Sequence, residues 1–470
     1  MSNQTNASAT QKSGNQAGAE TEQATPDTPK KQAPAIKKSS LENKPVLIDG
    51  VRTPFLRSNG AFTPLMSHDL GRFAIQGLLK KTGIDPAEIE QVIMGTVLHE
   101  VNTPNVARES MLGAGLAENT PAYTVSMACI SSNLSATSVS DMIKLGHIQV
   151  GIAGGVDTCS DPPLRLSKKL RQTLARLQKA KSNMDYVKEL SKLSFRDLLP
   201  DVPSITEFST GESMGQGCER LVKFAGVSRE ESDEFAARSH QLAAKAWEDK
   251  VYQEMVVPVH VPPKMELIAQ DNGPRGETSV KKLLSLKPAF DKQFGVVTAG
   301  NSSFLTDGGS AVLFMSHKKA EQLKFQAKAV LVDYVFRAGS PLNELLSGPA
   351  LTIPVLLDRN GLKADDIDVW EIHEAFASQV VANLKLMESN DFVKNRLGLK
   401  KAVGPIPMEK INIWGGSLSL GHPFGATGGR LLTTAAQRLQ LFGGRYAVVS
   451  GCAAGGHGSA ILLENPQFSK

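Results

Sequence analysis

Short apolar runs alternate with amphipathic stretches along the chain from Val46 onward. Continuous or alternating apolar positions are typical of strands, whereas apolar positions that recur every three to four residues are typical of helices. Strands that alternate with helices predict an α/β fold with a central sheet. The pattern predicts strands over residues 46–51, 92–97, 122–128 and 150–156, and helices over residues 70–79, 106–115 and 134–144.

A faint internal repeat relates the early part of the chain to its end. SMACISSN is followed by a helical pattern and by the buried strand pattern IQVGIAGGVDTCS, and WGGSLSLGHPFGATGG is followed in the same way by a helix and by YAVVSGCAAGGHGS. Two copies of one α/β unit that pack face to face would bring the loops at their strand ends together. A chance alignment of glycine-rich α/β segments is the alternative.

Residues of about 158–290 break this alternation. Four leucines there lie at helical spacing, at Leu166, Leu170, Leu174 and Leu177. The cationic residues around them are Arg165, Lys168, Lys169, Arg171, Arg176, Lys179, Lys181, Lys188, Lys192 and Arg196. A basic amphipathic helix of this kind predicts contact with an anionic membrane or an acidic partner, and the alternative is a solvated face over an ordinary core stripe. Further on, Ser228 precedes Glu231 by three positions, the spacing of a capping box.

Composition restricts the class of protein. The chain has 470 residues, of which 41% are hydrophobic and 21% charged, and its net charge is +5. A chain of this length buries a large core, and so mild a charge does not indicate a nucleic-acid partner. Apolar runs stay well short of the roughly 18 residues that a membrane span needs. Because the cysteines at 129, 159, 218 and 452 show no zinc-ligand spacing, we expect neither a metal site nor a disulfide framework.

The first 44 residues differ from the rest. They are rich in Ala, Gln, Thr, Ser, Asn, Lys and Pro, and such a segment cannot bury enough apolar surface to fold, so we expect a disordered tail. Mitochondrial presequences are rich in Arg and poor in acids. Here the first arginine is Arg52, and Glu20, Glu22, Asp27 and Glu42 precede it. We therefore expect a bacterial cytoplasmic protein rather than a mitochondrial one.

Cys129 is a candidate nucleophile. It lies in SMACISS, between a strand pattern and a helix pattern, where the positive end of the helix would stabilise a thiolate. A free thiol has a pKa of about 8.5, so it needs such help or a neighbouring base to act at neutral pH. The small residues around Cys129 leave room for a substrate. The alternative is a buried structural cysteine.

Two histidines have settings that suit catalysis. His422 lies in SLGHPFGATGG, where Pro423 restricts the backbone and the glycines let the loop approach a ligand, so it is a candidate base for a thiol. His373, in VWEIHEAFASQ, follows a strand pattern and precedes a helix pattern, and it could donate a hydrogen bond to a developing oxyanion. Taken singly, a histidine in such a setting is more often an ordinary core or surface residue.

Cys452 follows the strand pattern YAVVS and opens a glycine-rich turn whose amides could form an anion-binding nest. The turn lacks the GxGxxG spacing of a dinucleotide loop. One thiol nucleophile and one thiol acid or base suit chemistry that forms a thioester and makes or breaks a carbon–carbon bond. Cys159 and Cys218 have no comparable setting, and we expect them to take no part.

Together these runs resemble the thiolase family. SMACISS resembles its nucleophile motif, HEAF its NEAF-type motif, GHPFGATGG its GHP motif and CAAGGHG its CxGGG motif, while GNSSFLTDGGSAVL at 300–313 resembles the strand before the second half. The resemblance covers about residues 46–466. It implies two similar α/β halves that form a five-layered αβαβα core, plus a mostly helical loop domain. The expected divisions are 45–157 with 291–320, 158–290 for the loop domain, and 321–470.

The resemblance also implies residue roles. Cys129 would attack the keto carbon of a 3-ketoacyl-CoA while His422 takes its proton, Cys452 would protonate the acetyl-CoA enolate, and free CoA would then release the shortened acyl-CoA. His422 and a water held by His373 would form one oxyanion site, and the backbone amides of Cys129 and Ala454 the other. CoA is a co-substrate in this scheme, and no metal or redox cofactor is implied.

Departures from the usual motifs narrow the resemblance. His373 stands where the family more often has Asn, and Ala453 and Ala454 replace more common residues after Cys452. The HEAF version and the basic insert resemble the β subunits of fatty-acid β-oxidation complexes, which implies a homodimer, an α subunit with hydratase and dehydrogenase activities, and peripheral membrane contact. An acetoacetyl-CoA thiolase working in the biosynthetic direction and a non-catalytic thiolase-like scaffold are the alternatives. A decarboxylating ketoacyl synthase has no need of Cys452.

Overall fold

The computed structural model describes residues 43–201 and 206–468, and strands alternate with helices through its first part. All seven elements predicted there are confirmed. The first and third helices begin three residues earlier than their apolar periodicity indicated, because the first turn of each of these helices is polar. Asp69 caps α1 by accepting a hydrogen bond from Met66 N at 3.1 Å. The elements are β1 (Pro45–Arg52), β2 (Leu56–Arg57), α1 (Ser67–Thr82), β3 (Gln91–Gly95), α2 (Val106–Gly113), β4 (Ala122–Val125), α3 (Ser131–Lys144) and β5 (Val150–Asp157).

The middle of the chain is mainly helical. The predicted leucine-striped helix is confirmed as α4, with Leu166 just outside it, and the capping box is confirmed because Ser228 Oγ accepts from Glu231 N at 3.1 Å while Glu231 Oε2 accepts from Ser228 N at 2.7 Å. The elements are β6 (Arg165–Leu166), α4 (Lys168–Leu177), α5 (Asn183–Leu190), β7 (Pro200–Asp201), α6 (Met214–Ala225), α7 (Arg229–Glu248), β8 (Val259–Val261), β9 (Glu266–Ile268) and α8 (Val280–Leu284).

The remaining residues return to the α/β pattern. The segment WGGSLSLGHPFGATGG, which we expect to be a loop, contains a short helix and the first turn of a longer one, because the Gly416 carbonyl accepts a helical hydrogen bond from Leu420 N at 2.8 Å. The elements are β10 (Thr306–Ser316), α9 (His317–Gln322), β11 (Ala329–Ala338), α10 (Gly348–Asn360), β12 (Val369–Ile372), α11 (Ala377–Glu388), α12 (Asn390–Leu397), α13 (Ser417–Leu420), α14 (Thr427–Phe442), β13 (Tyr446–Ala453) and β14 (His457–Glu464).

The strands of the two halves follow the same scheme. In the first half β4, β3 and β5 are parallel, and β10 and then β1 add to β5 in antiparallel fashion. In the second half β12 and β13 are parallel, and β14 and then β11 add in antiparallel fashion. A short antiparallel pairing of β1 with β11 joins the halves at Val46 and Leu47. The matching order supports the internal repeat.

Three groups of helices cover the strands. Apolar side chains of α3 and α14 share one core with strands of both halves, so these two helices lie between the halves. Helices α1 and α2 pack against the other face of the first half, and α10 and α11 against the other face of the second. The order helix, strand, helix, strand, helix is the one expected for five layers.

The loops at the strand ends meet between the halves. Asp157, the last residue of β5, accepts a hydrogen bond from Gly425 N at 2.6 Å. A Cβ atom on Gly155 would lie 1.9 Å from Gly425 O, so only glycine permits this approach. The ends of β5 and of the loop before α14 are therefore held together, as the repeat predicted.

Two expectations fall outside this description. Apart from residues 43 and 44, the expected tail of residues 1–44 lies outside the described residues, and the division of the chain into domains stays a prediction.

Among the helices in the described ranges, none combines the length and apolar character that crossing a membrane requires.

Candidate active site

Cys129 lies in a sharp elbow between β4 and α3. Ala128 has φ = 45°, in the left-handed region that non-glycine residues seldom adopt. Ser131 fixes the elbow, because its Oγ accepts a hydrogen bond from Met127 N at 2.8 Å and donates one to Ala128 O at 2.6 Å. Cys129 as a whole is intermediate in exposure, between the buried and the exposed cysteines of ordinary folds.

His422 is held by threonines from two elements. Its backbone N–H donates to Thr306 Oγ1 at 2.9 Å, and its Nδ1 lies 2.6 Å from Thr427 Oγ1 at the start of α14. The ring is 4% exposed and meets the Phe424 ring edge-on, with centroids 5.1 Å apart. The Nε2 atom is buried and has no partner among the described residues. The ring therefore keeps one nitrogen free.

His373 directly follows β12 and lies beside His422. Its backbone N–H donates to Ser450 O at 2.8 Å, and its Nδ1 lies 3.0 Å from Ser417 Oγ. The centroids of the two imidazoles are 4.1 Å apart, and the planes are tilted by 40°. In the described part of the chain, His373 Nε2 also lacks a partner.

The elbow and the two histidine loops converge. Cys129 Sγ and one nitrogen from each of His373 and His422 all lie within 4.8 Å of one another. These three residues are separated by 244 and 49 positions in the sequence, and the meeting of the strand ends brings them together. In this arrangement one imidazole can take the proton of the thiol while the other donates a hydrogen bond to the oxygen of a bound substrate.

Cys452 lies inside β13 rather than at the start of the turn, because its backbone pairs with Gly458 of β14 before the chain turns. It is 1% exposed. Burial raises its pKa well above the ordinary value, and the nearby Cys129 adds to this. The thiol of Cys452 is thus kept in its protonated form next to the candidate nucleophile.

The turn after Cys452 begins at Ala454. The Ala454 amide faces the Cys129 sulfur and lowers the thiol pKa, although burial outweighs it. Gly455 and Gly456 have φ of 81° and 74°, a geometry that lets successive amides point the same way. One amide of the predicted anion-binding turn already has a partner within the protein, because Gly455 N donates a hydrogen bond to Glu207 Oε1 at 2.6 Å. No motif in the sequence indicated Glu207.

Family models for the thiolase N-terminal domain and the thiolase C-terminal domain match residues 45–318 and 325–465. The chain belongs to the thiolase family. The predicted resemblance and the predicted fold are both confirmed, and membership of this family makes the chain an acyltransferase.

This thiolase has relatives in mitochondria and in bacteria. It is 49% identical to the mitochondrial trifunctional enzyme subunit beta of Bos taurus over 419 residues, which cover 89% of this chain and 88% of the relative. It is 43% identical to the 3-ketoacyl-CoA thiolase of Serratia proteamaculans over 418 residues, 89% of this chain and 96% of the relative. The crystal structure of the Bacillus anthracis acetyl-CoA acetyltransferase superposes with a TM-score of 0.76 at 30% identity and covers 90% of this chain and 98% of the other.

The Cys129 thiol of this thiolase is not the stabilised thiolate that its place before α3 suggested. Burial raises its pKa to about 12, and the carboxylates of Asp157 and Glu207 add to the effect. Burial lowers the pKa of His422 to about 3, with a contribution from the Arg430 guanidinium. In the same way, burial and His422 lower the pKa of His373. The resting pair is therefore a neutral thiol and a neutral imidazole, because burial outweighs the hydrogen bonds that the Ala454 and Cys129 amides offer to the sulfur.

Alkylation of Cys129 tests this protonation state. Because a raised thiol pKa of about 12 makes the thiolate fraction grow roughly tenfold per pH unit below that value, the rate of modification by iodoacetamide is expected to rise steadily from pH 7 to 10. Mass spectrometry of the peptide that contains Cys129 measures it. A rate that is already level from pH 6 upward would indicate a thiolate–imidazolium pair instead.

Asp157 anchors the site and was not singled out from the sequence. Its carboxylate accepts hydrogen bonds from Leu98 N at 2.7 Å, Val97 N at 3.0 Å and Thr96 Oγ1 at 3.1 Å, besides that from Gly425. Burial raises its pKa to about 6, while these donors oppose the shift. A charged residue at the end of a fully buried strand was the signal that could have identified it.

The expectation of a metal-free enzyme stays a prediction. One sulfur and two imidazole nitrogens within 4.8 Å are ligands of the kinds that zinc accepts. The same three groups suit the thioester chemistry of the thiolase family without an ion.

Proposed function

We propose that this chain is a 3-ketoacyl-CoA thiolase, which cleaves 3-ketoacyl-CoA with CoA to give acetyl-CoA and an acyl-CoA two carbons shorter. The observation that carries the proposal is the convergence of Cys129 with His373 and His422 within 4.8 Å. The relatives named trifunctional enzyme subunit beta and 3-ketoacyl-CoA thiolase support cleavage in fatty-acid β-oxidation.

In the first stage the Cys129 sulfur attacks the C3 carbonyl carbon while its proton passes to His422 Nε2. Since the resting groups are neutral, attack and proton transfer occur together. For Nε2 to accept, the proton of neutral His422 must lie on Nδ1, from which it donates to Thr427 Oγ1. The oxygen of the tetrahedral intermediate is stabilised by the backbone amides of Cys129 and Ala454.

Collapse of that intermediate breaks the C2–C3 bond. The electron pair goes to the acetyl-CoA enolate, and the Cys452 S–H gives its proton to C2. His422 and a water held by His373 stabilise the enolate oxygen. The proton held by His422 then returns to the Cys452 thiolate. Free CoA gives its thiol proton to His422 Nε2 and attacks the acyl carbon, the C–S bond to Cys129 breaks, and the departing Cys129 sulfur takes that proton back. Each stage thus uses the group formed by Cys129, His373 and His422, or Cys452 beside it.

A thiolysis assay with short, medium and long 3-ketoacyl-CoA substrates tests the proposal. Products separated by chromatography are expected to be acetyl-CoA and the acyl-CoA shortened by two carbons, for more than the shortest substrate. Turnover of acetoacetyl-CoA alone would favour the acetyl-CoA acetyltransferase alternative, the activity for which the Bacillus anthracis structure is named. Failure with all three chain lengths would contradict the proposal.

We propose an α subunit with enoyl-CoA hydratase and 3-hydroxyacyl-CoA dehydrogenase activities as the partner of a thiolase homodimer. The trifunctional enzyme relatives, which are named as beta subunits, support this assembly. Co-expression with the α subunit encoded in the same genome, followed by light scattering, measures the composition of the complex.

For the compartment we propose the bacterial cytoplasm, which the Serratia relative supports and the mitochondrial relatives oppose. Subcellular fractionation decides between them.

The basic insert is proposed to contact membrane surfaces. Helix α4 buries only Thr173, and α5, which follows it, buries none of its residues. Apolar side chains are exposed over α5 and just beyond, with Met184 74%, Val187 63% and Phe195 79% exposed. Exposed apolar side chains among cations suit the surface of an anionic bilayer.

Neutralising part of this insert is expected to weaken membrane binding. In the variant Lys168→Gln, Lys169→Gln, Arg171→Gln, the loss of three cations is expected to lower affinity for anionic vesicles at least about tenfold, because each cation near such a surface contributes about 1 kcal/mol. Co-sedimentation with phosphatidylglycerol vesicles measures this, with phosphatidylcholine vesicles and a Lys394→Gln, Lys400→Gln, Lys401→Gln variant as controls. Equal binding by both triple variants would mean that the insert is only a solvated helix pair.

A further inference from the structure

The hydrogen bonds behind His373 determine which of its ring nitrogens carries the proton. Ser417, the first residue of α13, is fully buried, and its Oγ lies 3.0 Å from His373 Nδ1. The same Oγ lies 3.0 Å from Nη2 of Arg430, which is in the first turn of α14 and is 1% exposed. These residues form a relay: Arg430, Ser417 and His373.

Only one arrangement of protons satisfies this relay. A guanidinium can only donate, so Ser417 Oγ is the acceptor in its contact with Arg430. The serine hydroxyl then has one hydrogen to donate, and among the described contacts its remaining neighbour is His373 Nδ1. Nδ1 must therefore be the unprotonated nitrogen, and the ring proton lies on Nε2.

The opposite tautomer leaves a buried hydrogen unpaired. If His373 Nδ1 carried the proton, Ser417 Oγ would accept from both sides, and its own hydrogen would have no acceptor among the contacts described. An unpaired polar hydrogen in a buried position is unfavourable. Burial and the nearby charge of Arg430 also disfavour the doubly protonated ring. A neutral ring with its proton on Nε2 is the form that remains.

We propose that Arg430, acting through Ser417, is a positioning residue that fixes His373 as the Nε2–H tautomer, so that His373 presents a permanent donor to the water that stabilises the enolate oxygen. His373 Nε2 is the atom that has no partner in the described structure, and it belongs to the group that contains Cys129. The catalytic part of the inference rests on the proposed function, whereas the tautomer does not.

The two adjacent histidines then have different tasks. His422 Nδ1 faces Thr427, whose hydroxyl oxygen can accept from Nδ1–H, so His422 Nε2 is left free to take up the Cys129 proton and to return it. His373 Nδ1 faces a hydroxyl that Arg430 has already oriented, so its proton cannot move. One ring therefore exchanges a proton with Cys129, and the other only donates a hydrogen bond.

Ser417→Ala is the variant that tests this relay, because it removes the hydroxyl and leaves the buried Arg430 charge opposite Glu371. Ser419→Ala is the matched control, since Ser419 lies in the same short helix, is equally buried and does not contact His373. Nitrogen-15 spectra of histidine-labelled full-length protein report the tautomer directly, with the His373 signal assigned from a His373→Asn sample.

In the wild-type protein and in Ser419→Ala, the spectrum is expected to show His373 with Nε2 protonated, and in Ser417→Ala a mixture with Nδ1 protonated. The kcat of thiolysis in Ser417→Ala is expected to fall at least about tenfold with KM changed less than about twofold, because the donor acts in the transition state. Ser417→Thr, which keeps a hydroxyl, is expected to restore the wild-type tautomer.

A wild-type ring with Nδ1 protonated, or a tautomer that does not change in Ser417→Ala, would overturn the proposal whatever the activity. A changed tautomer with unchanged kcat would overturn the positioning role and leave the proposed thiolase reaction intact. Failure of the wild-type protein to cleave any 3-ketoacyl-CoA would instead contradict the proposed function, and the spectra would still decide the tautomer.

Discussion

Replacement of Cys129 with alanine is expected to abolish acyl-enzyme formation and to lower the rate of thiolysis by at least about 10⁴-fold. The reason is that Cys129 is the thiol that lies within 4.8 Å of a nitrogen of both imidazoles, and the loss of a covalent nucleophile removes the intermediate through which both half-reactions pass. Incubation with a labelled acyl-CoA, followed by intact-protein mass spectrometry, measures the acyl adduct.

Cys159→Ala provides the matched control for this experiment. Cys159 is a buried thiol two residues after Asp157, so its replacement perturbs the same region without removing the candidate nucleophile. We expect this variant to retain the acyl adduct and most of the activity. If Cys129→Ala still accumulated labelled acyl-protein, the nucleophile would have to be another residue, and the role given to Cys129 would be wrong.

The sequence was sufficient to predict the seven elements of the first part of the chain, the leucine-striped helix α4 and the three residues that converge. Each of these depends on a local signal: the periodicity of apolar positions, or a reactive residue among small ones just after a strand. The repeat of helix and strand also predicted that the strand ends meet, which the contact of Asp157 with Gly425 confirms. Ser228 and Glu231 are a further local signal, because their spacing alone predicted the capping box at the start of α7.

What could not be predicted depends on contacts between distant segments. Glu207 reaches the turn at Gly455 from an insert 248 positions away, and no motif marks either partner of that contact. The raised pKa of Cys129 could not be predicted, because the helix terminus is visible in the sequence, whereas the depth of burial is not. Likewise, Ser417 is one of two serines in GGSLSLG, and nothing distinguishes it until its neighbours Arg430 and His373 are placed.

Replacement of Cys452 with alanine is expected to separate the two half-reactions. Transfer of an acyl group from acyl-CoA to Cys129 needs no proton on a carbon atom, so exchange of labelled CoA into acyl-CoA is expected to stay within about threefold of the wild-type rate. Cleavage of 3-ketoacyl-CoA needs a proton at C2 of the departing enolate, and loss of a positioned general acid is expected to lower it by about 10²- to 10⁴-fold.

The raised pKa of Cys452 favours this assignment, because a thiol kept protonated in a buried strand is an acid and not a second nucleophile. Parallel measurements of exchange and of cleavage on the same preparation make the two roles distinguishable, with Cys218→Ala as a control for the loss of a neighbouring buried thiol. Equal losses in both assays would show that Cys452 supports the shape of β13 and the Ala454 turn. A selective loss of cleavage would show that the proton for carbon comes from this sulfur, while the sulfur at the elbow carries the acyl group.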